Sequence, residues 1–269
     1  MMKAPLTFLK LGGSLITDKH RELTPQLGTI QRIAAEIHDA INAQPKLPLL
    51  IGHGSGSFGH AVAVKYQTQN GEKDQSYWRG FAAVWAAARE LNQIIIESHS
   101  AAGLPVIAFP PSAAVISRNK ELISWETSPL EMALAHQLIP VVQGDVVFDT
   151  EIGGTIFSTE QVFQHLCKVI QPGRILIAGL EQGVYFDHDK SDQVIPRITP
   201  GNFKQLLPAI SGAKAADVTG GMLSKVRLML DLVSQYPALE VQIFSGMAAG
   251  NIEKALSGSR LGTLITHQD

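Results

Sequence analysis

Three glycine-rich corners, with cations beside them, are where this chain could do chemistry: "KLGGS" (10–14), "GHGSGSFGH" (52–60) and "DVTGGM" (217–222). Glycine lets backbone N–H groups approach a ligand closely, and a helix that follows adds its positive end. Together these make an anion site. One such corner decides nothing, because glycine also simply turns chains. Three in one chain, with Lys10 at the first and Lys225 shortly after the third, point to bound phosphate. The middle corner contains Gly54, Ser55, Gly56, Ser57 and Gly59, and His60 stands one turn into the helix that follows. A histidine there is placed to donate to a phosphate held by the loop. His53, at the start of the loop, is read as orienting the turn.

Two familiar nucleotide loops are excluded. The phosphate-binding pattern GxxxxGK[ST] is absent. "GSGSFG" matches GxGxxG in form, but no acidic residue follows a further strand at ribose distance. Asp74 lies near that spacing and precedes a helix instead.

The elements that must position these corners alternate. "LTFLKL" (6–11), "LPLLIG" (47–52), "PVIAF" (105–109), "IPVVQG" (139–144), "RILIAG" (174–179) and "VQIFSG" (241–246) read as strands. They are almost continuously apolar, as strands covered on both faces are. Between the first two, Leu27, Ile30, Ile33, Ile37 and Ile41 recur at helical spacing, with Thr24 as the expected N-cap. Residues 75–102 form the longest helical pattern, with Trp78, Phe81, Val84, Trp85 and Ala88 in one apolar stripe. The expected fold is α/β, a three-layer αβα sandwich with a mainly parallel central sheet. Pro172-Gly173 divides it into an N-terminal lobe (1–172) and a C-terminal lobe (173–269), and 181–201 reads as an exposed excursion.

Composition bounds the partners. The chain has 269 residues, 45% hydrophobic and 17% charged, enough for a substantial core. A net charge of −2 gives no reason to expect nucleic acid. No apolar run approaches membrane-spanning length. The single cysteine, Cys167, permits neither an intrachain disulfide nor a cysteine-based metal site, and no metal ligands are expected. The cytoplasm is the expected compartment.

The motifs together resemble the amino acid kinase superfamily: "KLGGSLIT" at the start, the second-strand glycine loop, "GD" at 144–145, "DVTGGMLSK" at 217–225 and "GTLI" at 262–265. Within it, "HGSGSFGH" with "LITDK" is similar to the isopentenyl phosphate kinases. Acetylglutamate, glutamate and uridylate kinases do not end this loop in FGH; the fosfomycin-kinase type shares it. The resemblance implies transfer of a phosphoryl group from ATP–Mg²⁺ to isopentenyl phosphate by a homodimer. It implies that Lys10 reaches the transferring phosphate, that Lys19 bridges it to the acceptor, and that His60 holds the acceptor. Gly54, Ser55, Gly56, Ser57, Gly59, Gly144 and Asp145 would line the acceptor site. Gly12, Gly13, Ser14, Asp217, Thr219, Gly220, Gly221 and Lys225 would hold the nucleotide. A phosphate monoester has a second pKa near ~6, so it needs no general base, only cations between two anions.

There are departures. The loop reads HGSG rather than HGGG, so Ser55 must sit where a Cβ is tolerated. Where relatives often carry SGDD, this chain has "STEQ" at 158–161, with Glu160 offset or in its place. "AGLEQGVY" (178–185) lacks the acidic residue that often follows that strand. Another alkyl phosphate or phosphonate as substrate, or nucleotide binding without turnover, are the alternatives.

Overall fold

Strands that are apolar on both faces must be covered on both faces, and the central sheet is. The computed structural model describes residues 5–68, 71–72, 74–187, 191–211 and 221–268. The chain runs β1 (Thr7–Leu11), α1 (Gly13–Ile16), α2 (Leu27–Ala43), β2 (Leu49–His53), α3 (Gly56–Tyr66), α4 (Tyr77–Ala101) and β3 (Val106–Ala108). Next come β4 (Val115–Arg118), β5 (Glu121–Trp125), α5 (Ser128–Ala135), β6 (Ile139–Gln143), β7 (Asp145–Asp149), β8 (Gly153–Phe157) and α6 (Thr159–Ile170). The rest is β9 (Arg174–Gly179), β10 (Tyr185–Asp187), β11 (Ser191–Val194), β12 (Arg197–Ile198), α7 (Pro200–Ser211), α8 (Gly221–Gln235), β13 (Glu240–Ser245), α9 (Asn251–Leu256) and β14 (Thr263–Ile265).

The main sheet has eight strands in the order β12-β14-β13-β9-β1-β2-β6-β3. Every pairing in it is parallel except β13 with β14. Alternate residues divide between two cores, as strand geometry requires. Phe8, Leu50, Ile175 and Ile177 pack with Phe163 and Leu166 of α6 and Val226 and Met229 of α8. Leu9, Leu11, Leu49, Ile51 and Leu176 pack on the other side with Ile30 and Ile33 of α2, Leu91 and Ile95 of α4, and Ile252 of α9. This is the expected three-layer αβα sandwich, and all six expected strands are in its sheet. The boundary at Pro172-Gly173 divides the chain but not the sheet, because β9 pairs with β1.

Three details differ from the sequence reading. α2 starts at Leu27 behind Gln26, and the Thr24 hydroxyl donates instead to the Glu22 carbonyl, so Thr24 is not the cap. A four-stranded sheet, β5-β4-β7-β8, stands beside the main one and escaped the pattern analysis. The stretch 181–201 contains the β10–β11 hairpin, whose base is anchored by buried Val184 and Ile195.

Candidate active site

Lys10 follows Phe8 by two residues and so points to the same face of β1. That face is covered by α6, whose Phe163 ring lies 5.0 Å from Phe8. At the end of the strand Lys10 therefore meets the first turn of α6, where its Nζ pairs with Glu160. Both residues are buried, Lys10 6% and Glu160 7% exposed. Burial alone would push the Glu160 carboxyl up. The charge and hydrogen bond of Lys10, with the charge of Lys225 from α8, hold it below its ordinary value. The turn that carries Glu160 is itself fixed by a capping box. The Gln161 N–H donates to Ser158 Oγ, and the Ser158 N–H donates to Gln161 Oε1. Glu160 is thus a lysine organiser, and the sequence signal for its position was the S-x-x-Q spacing of "STEQ".

The first two glycine corners meet where strand order reverses. Beyond β1 the sheet extends through β2, β6 and β3 on one side; beyond β9 it extends through β13, β14 and β12 on the other. Ligands of open parallel sheets bind at such a switch point, beyond the carboxyl ends of the strands. There the Gly12 N–H donates to the Ala178 carbonyl (2.8 Å), the Gly54 N–H to Leu11 (3.0 Å) and the Gly144 N–H to His53 (3.1 Å). The first two corners touch backbone to backbone: a Cβ on Gly13 would stand 2.5 Å from the Gly56 nitrogen. Gly56 also has φ +49, where side chains are strained, and a Cβ there would strike Thr17 Oγ1 at 2.1 Å. Ser55 sits in ordinary right-handed backbone (φ −81, ψ −13), so HGSG is accommodated without strain.

Thr17 clamps the two corners. Its hydroxyl donates to the Gly13 carbonyl (2.8 Å) and accepts from the Ser57 N–H (3.0 Å). The Ser57 amide is therefore engaged within the protein, while its Oγ is buried with no partner among the described residues. Thr159, the residue before Glu160, donates from Oγ1 to the His53 carbonyl (2.7 Å), joining α6 to β2. Thr17 closes the "KLGGSLIT" motif and Thr159 lies in "STEQ", but sequence reasoning gave neither a role, because the partners they reach across the fold, Ser57 and His53, lie 40 and 106 positions away.

The remaining expected residues fall as follows. His60 is exposed on the first turns of α3, with Gly59 buried before it. Ser14 lies in α1, half-buried, and Lys19 is exposed in the loop after it. Asp145 is 1% exposed; its Oδ2 accepts from the Ser112 N–H (3.2 Å) and its Oδ1 from the Val146 N–H (2.9 Å). Burial pushes its carboxyl up. Gly221 opens α8 at φ +63, with nothing within 4 Å of where a Cβ would stand. Asp217, Thr219 and Gly220 lie outside the described residues.

The apolar stripe of α4 is divided. Tyr77, Phe81 and Val84 pack with Ala63 of α3 and Val146 of β7, against Trp78 and Ile156, in a third cluster beside the middle corner. Phe148 adds a ring 5.0 Å from Phe81. Trp85 turns away, 41% exposed beneath Arg89.

A sequence model of the Amino acid kinase family matches residues 5–245. The chain belongs to the amino acid kinase family. Among its relatives is the isopentenyl phosphate kinase of Methanocaldococcus jannaschii, 34% identical over 97% of this chain and 98% of that one. The isopentenyl phosphate kinase of Methanothermobacter thermautotrophicus is 32% identical over 97% and 99%. An X-ray structure of isopentenyl phosphate kinase superposes with a TM-score of 0.81 at 29% identity, covering 97% of this chain and all of that one, 100%. The buried Lys10–Glu160 pair, within electrostatic reach of Lys225 on α8, thus stands at the carboxyl end of β1, directly before the first of the two clamped corners. No helix among the described residues is long and apolar enough to cross a membrane.

Proposed function

We propose that this kinase transfers the γ-phosphoryl group of ATP to isopentenyl phosphate, giving isopentenyl diphosphate and ADP. A phosphate oxygen of the acceptor attacks the γ-phosphorus as the bond to the β-phosphate bridging oxygen breaks. The observation that carries the reading is similarity to isopentenyl phosphate kinases over 97% of the chain, in which Lys10 and the first two glycine corners stand at the switch point. In this reading residues 1–172 hold the acceptor and 173–269 the nucleotide. Lys10, oriented by Glu160, and Lys225 neutralise the transferring and nucleotide phosphates. Gly12, Gly13, Ser14 and Gly221 offer close backbone approach to the nucleotide, and His60 with the middle corner holds the acceptor. Mg²⁺ keeps several waters and is held largely by substrate phosphates, so it belongs with ATP and needs no all-protein cage. A cytoplasmic homodimer serving isoprenoid biosynthesis through an alternative mevalonate route completes the proposal.

An acceptor panel followed by ADP release tests it. Isopentenyl phosphate should turn over well, and acetylglutamate, glutamate and UMP poorly. Turnover of one of those three without turnover of isopentenyl phosphate would defeat the assignment.

Two variants probe the roles. Lys19→Ala should lower kcat more than it raises KM for ATP, since a bridging contact strengthens as the phosphoryl group moves. A raised KM with unchanged kcat would make Lys19 a ground-state binder. In this reading the five-carbon tail lies against the third cluster, and Phe81 and Trp78 limit its length. A buried CH₂ is worth about 0.8 kcal/mol. Phe81→Ala or Trp78→Ala should therefore raise kcat/KM for geranyl phosphate relative to isopentenyl phosphate by about tenfold or more. An unchanged ratio in both variants would move the tail elsewhere.

A further inference from the structure

His53 is the last residue of β2, and alternation puts its side chain on the face covered by α4. The ring is 1% exposed and reaches two groups. Nδ1 lies 3.2 Å from the carbonyl oxygen of Gly54, and Nε2 lies 3.1 Å from the amide oxygen of Asn92, itself 9% exposed, on α4. A carbonyl oxygen can only accept, so a hydrogen bond at Nδ1 requires the proton there. The other ring nitrogen then needs a donor, and Asn92 supplies one when its amide turns to present its NH₂ group. Complete burial also depresses the His53 pKa, which favours the neutral ring this pattern needs. Meanwhile the His53 carbonyl accepts from Gly144 and Thr159, so the residue joins β2 to the α6 turn that bears Glu160.

The consequence lies in one peptide unit. The Gly54 carbonyl and the Ser55 N–H belong to the same trans peptide and point in opposite directions. A ring that holds the carbonyl toward α4 turns the Ser55 N–H away from it, to the glycine corner. We propose that His53 is a positioning residue: held by Asn92, it donates from Nδ1 to the Gly54 carbonyl and so aims the Ser55 N–H at the acceptor phosphate. This rests on the reading of the middle corner as the phosphate-acceptor loop.

Two substitutions of similar polarity separate this role from simple packing. His53→Asn keeps an N–H near the position of Nδ1 and gives up the reach to Asn92; His53→Gln does the reverse. Steady-state kinetics on the full chain should show His53→Gln with kcat/KM for isopentenyl phosphate reduced about tenfold through KM, the size of one lost hydrogen bond. KM for ATP should not change, and His53→Asn should recover to within about threefold of the parent. The amide ¹H–¹⁵N signal of Ser55 should shift on adding inorganic phosphate to the parent and to His53→Asn, and shift far less in His53→Gln. Equal losses in the two variants, no loss in either, or a Ser55 signal indifferent to phosphate in the parent would overturn the proposal. Failure of the parent to turn over isopentenyl phosphate would instead strike the proposed function, and the Ser55 signal would still decide the role of His53.

Discussion

Lys10→Ala is expected to reduce kcat by at least about 10²–10³-fold, the usual consequence of removing one preorganised group from a developing charge. It is also expected to cost the fold about 3–5 kcal/mol, because Glu160 would be left as a buried charge without its lysine. The two effects can be separated. Lys10→Ala with Glu160→Gln should regain most of the stability, since a neutral amide tolerates that site, and none of the activity. The pH dependence has a definite sign. In the parent the folded-state value of Glu160 lies below its ordinary value of 4.5. Its contribution to stability is therefore present above the unfolded value and is lost as pH falls through the folded one. Without Lys10 the carboxyl rises, so the deficit of Lys10→Ala should be largest at neutral pH and shrink as Glu160 protonates. Denaturant unfolding at several pH values reads this directly. A variant with parental stability at pH 7 would mean that the pair contributes nothing to the fold.

His60→Ala should do the opposite: leave the fold alone and cripple transfer. The side chain is exposed on α3, so its removal opens no core. A charge-assisted hydrogen bond to phosphate is worth about 1.5–3 kcal/mol, which converts to about a 10- to 150-fold loss in kcat/KM as the least expected. ATP affinity and the unfolding midpoint should stay near the parent values. Parental kinetics for this variant would place His60 off the site.

What the sequence made legible follows from how each feature is encoded. The buried strands were readable because both faces are apolar, which leaves runs such as "RILIAG" without polar interruption. The four-stranded sheet was not. β5 is exposed or half-exposed along its whole length, and β4 alternates buried with exposed residues over only four positions. Short half-wet strands resemble loops in a pattern search. The glycines of the corners were legible as a group, but their packing was not: Gly13 meets Gly56, 43 positions along the chain, a separation that no local period encodes. Glu160 looked like a misplaced carboxylate because its partner Lys10 is 150 positions away, and only the pleat of β1 brings the two together. Trp85 fitted the α4 stripe by spacing yet faces outward, because the aromatic cluster gathers on Tyr77, Trp78 and Phe81 against β7 and β8, elements the sequence reading lacked.

The central claim is that phosphate, not a carboxylate, accepts the phosphoryl group at the middle glycine corner. Phosphorus NMR of the full chain incubated with ATP, Mg²⁺ and isopentenyl phosphate tests it most directly. The account predicts that the isopentenyl phosphate singlet disappears as a coupled pair of diphosphate doublets grows in, in step with ADP and with little free phosphate. A persistent isopentenyl phosphate singlet, with ATP intact or converted only to ADP and inorganic phosphate, would contradict it.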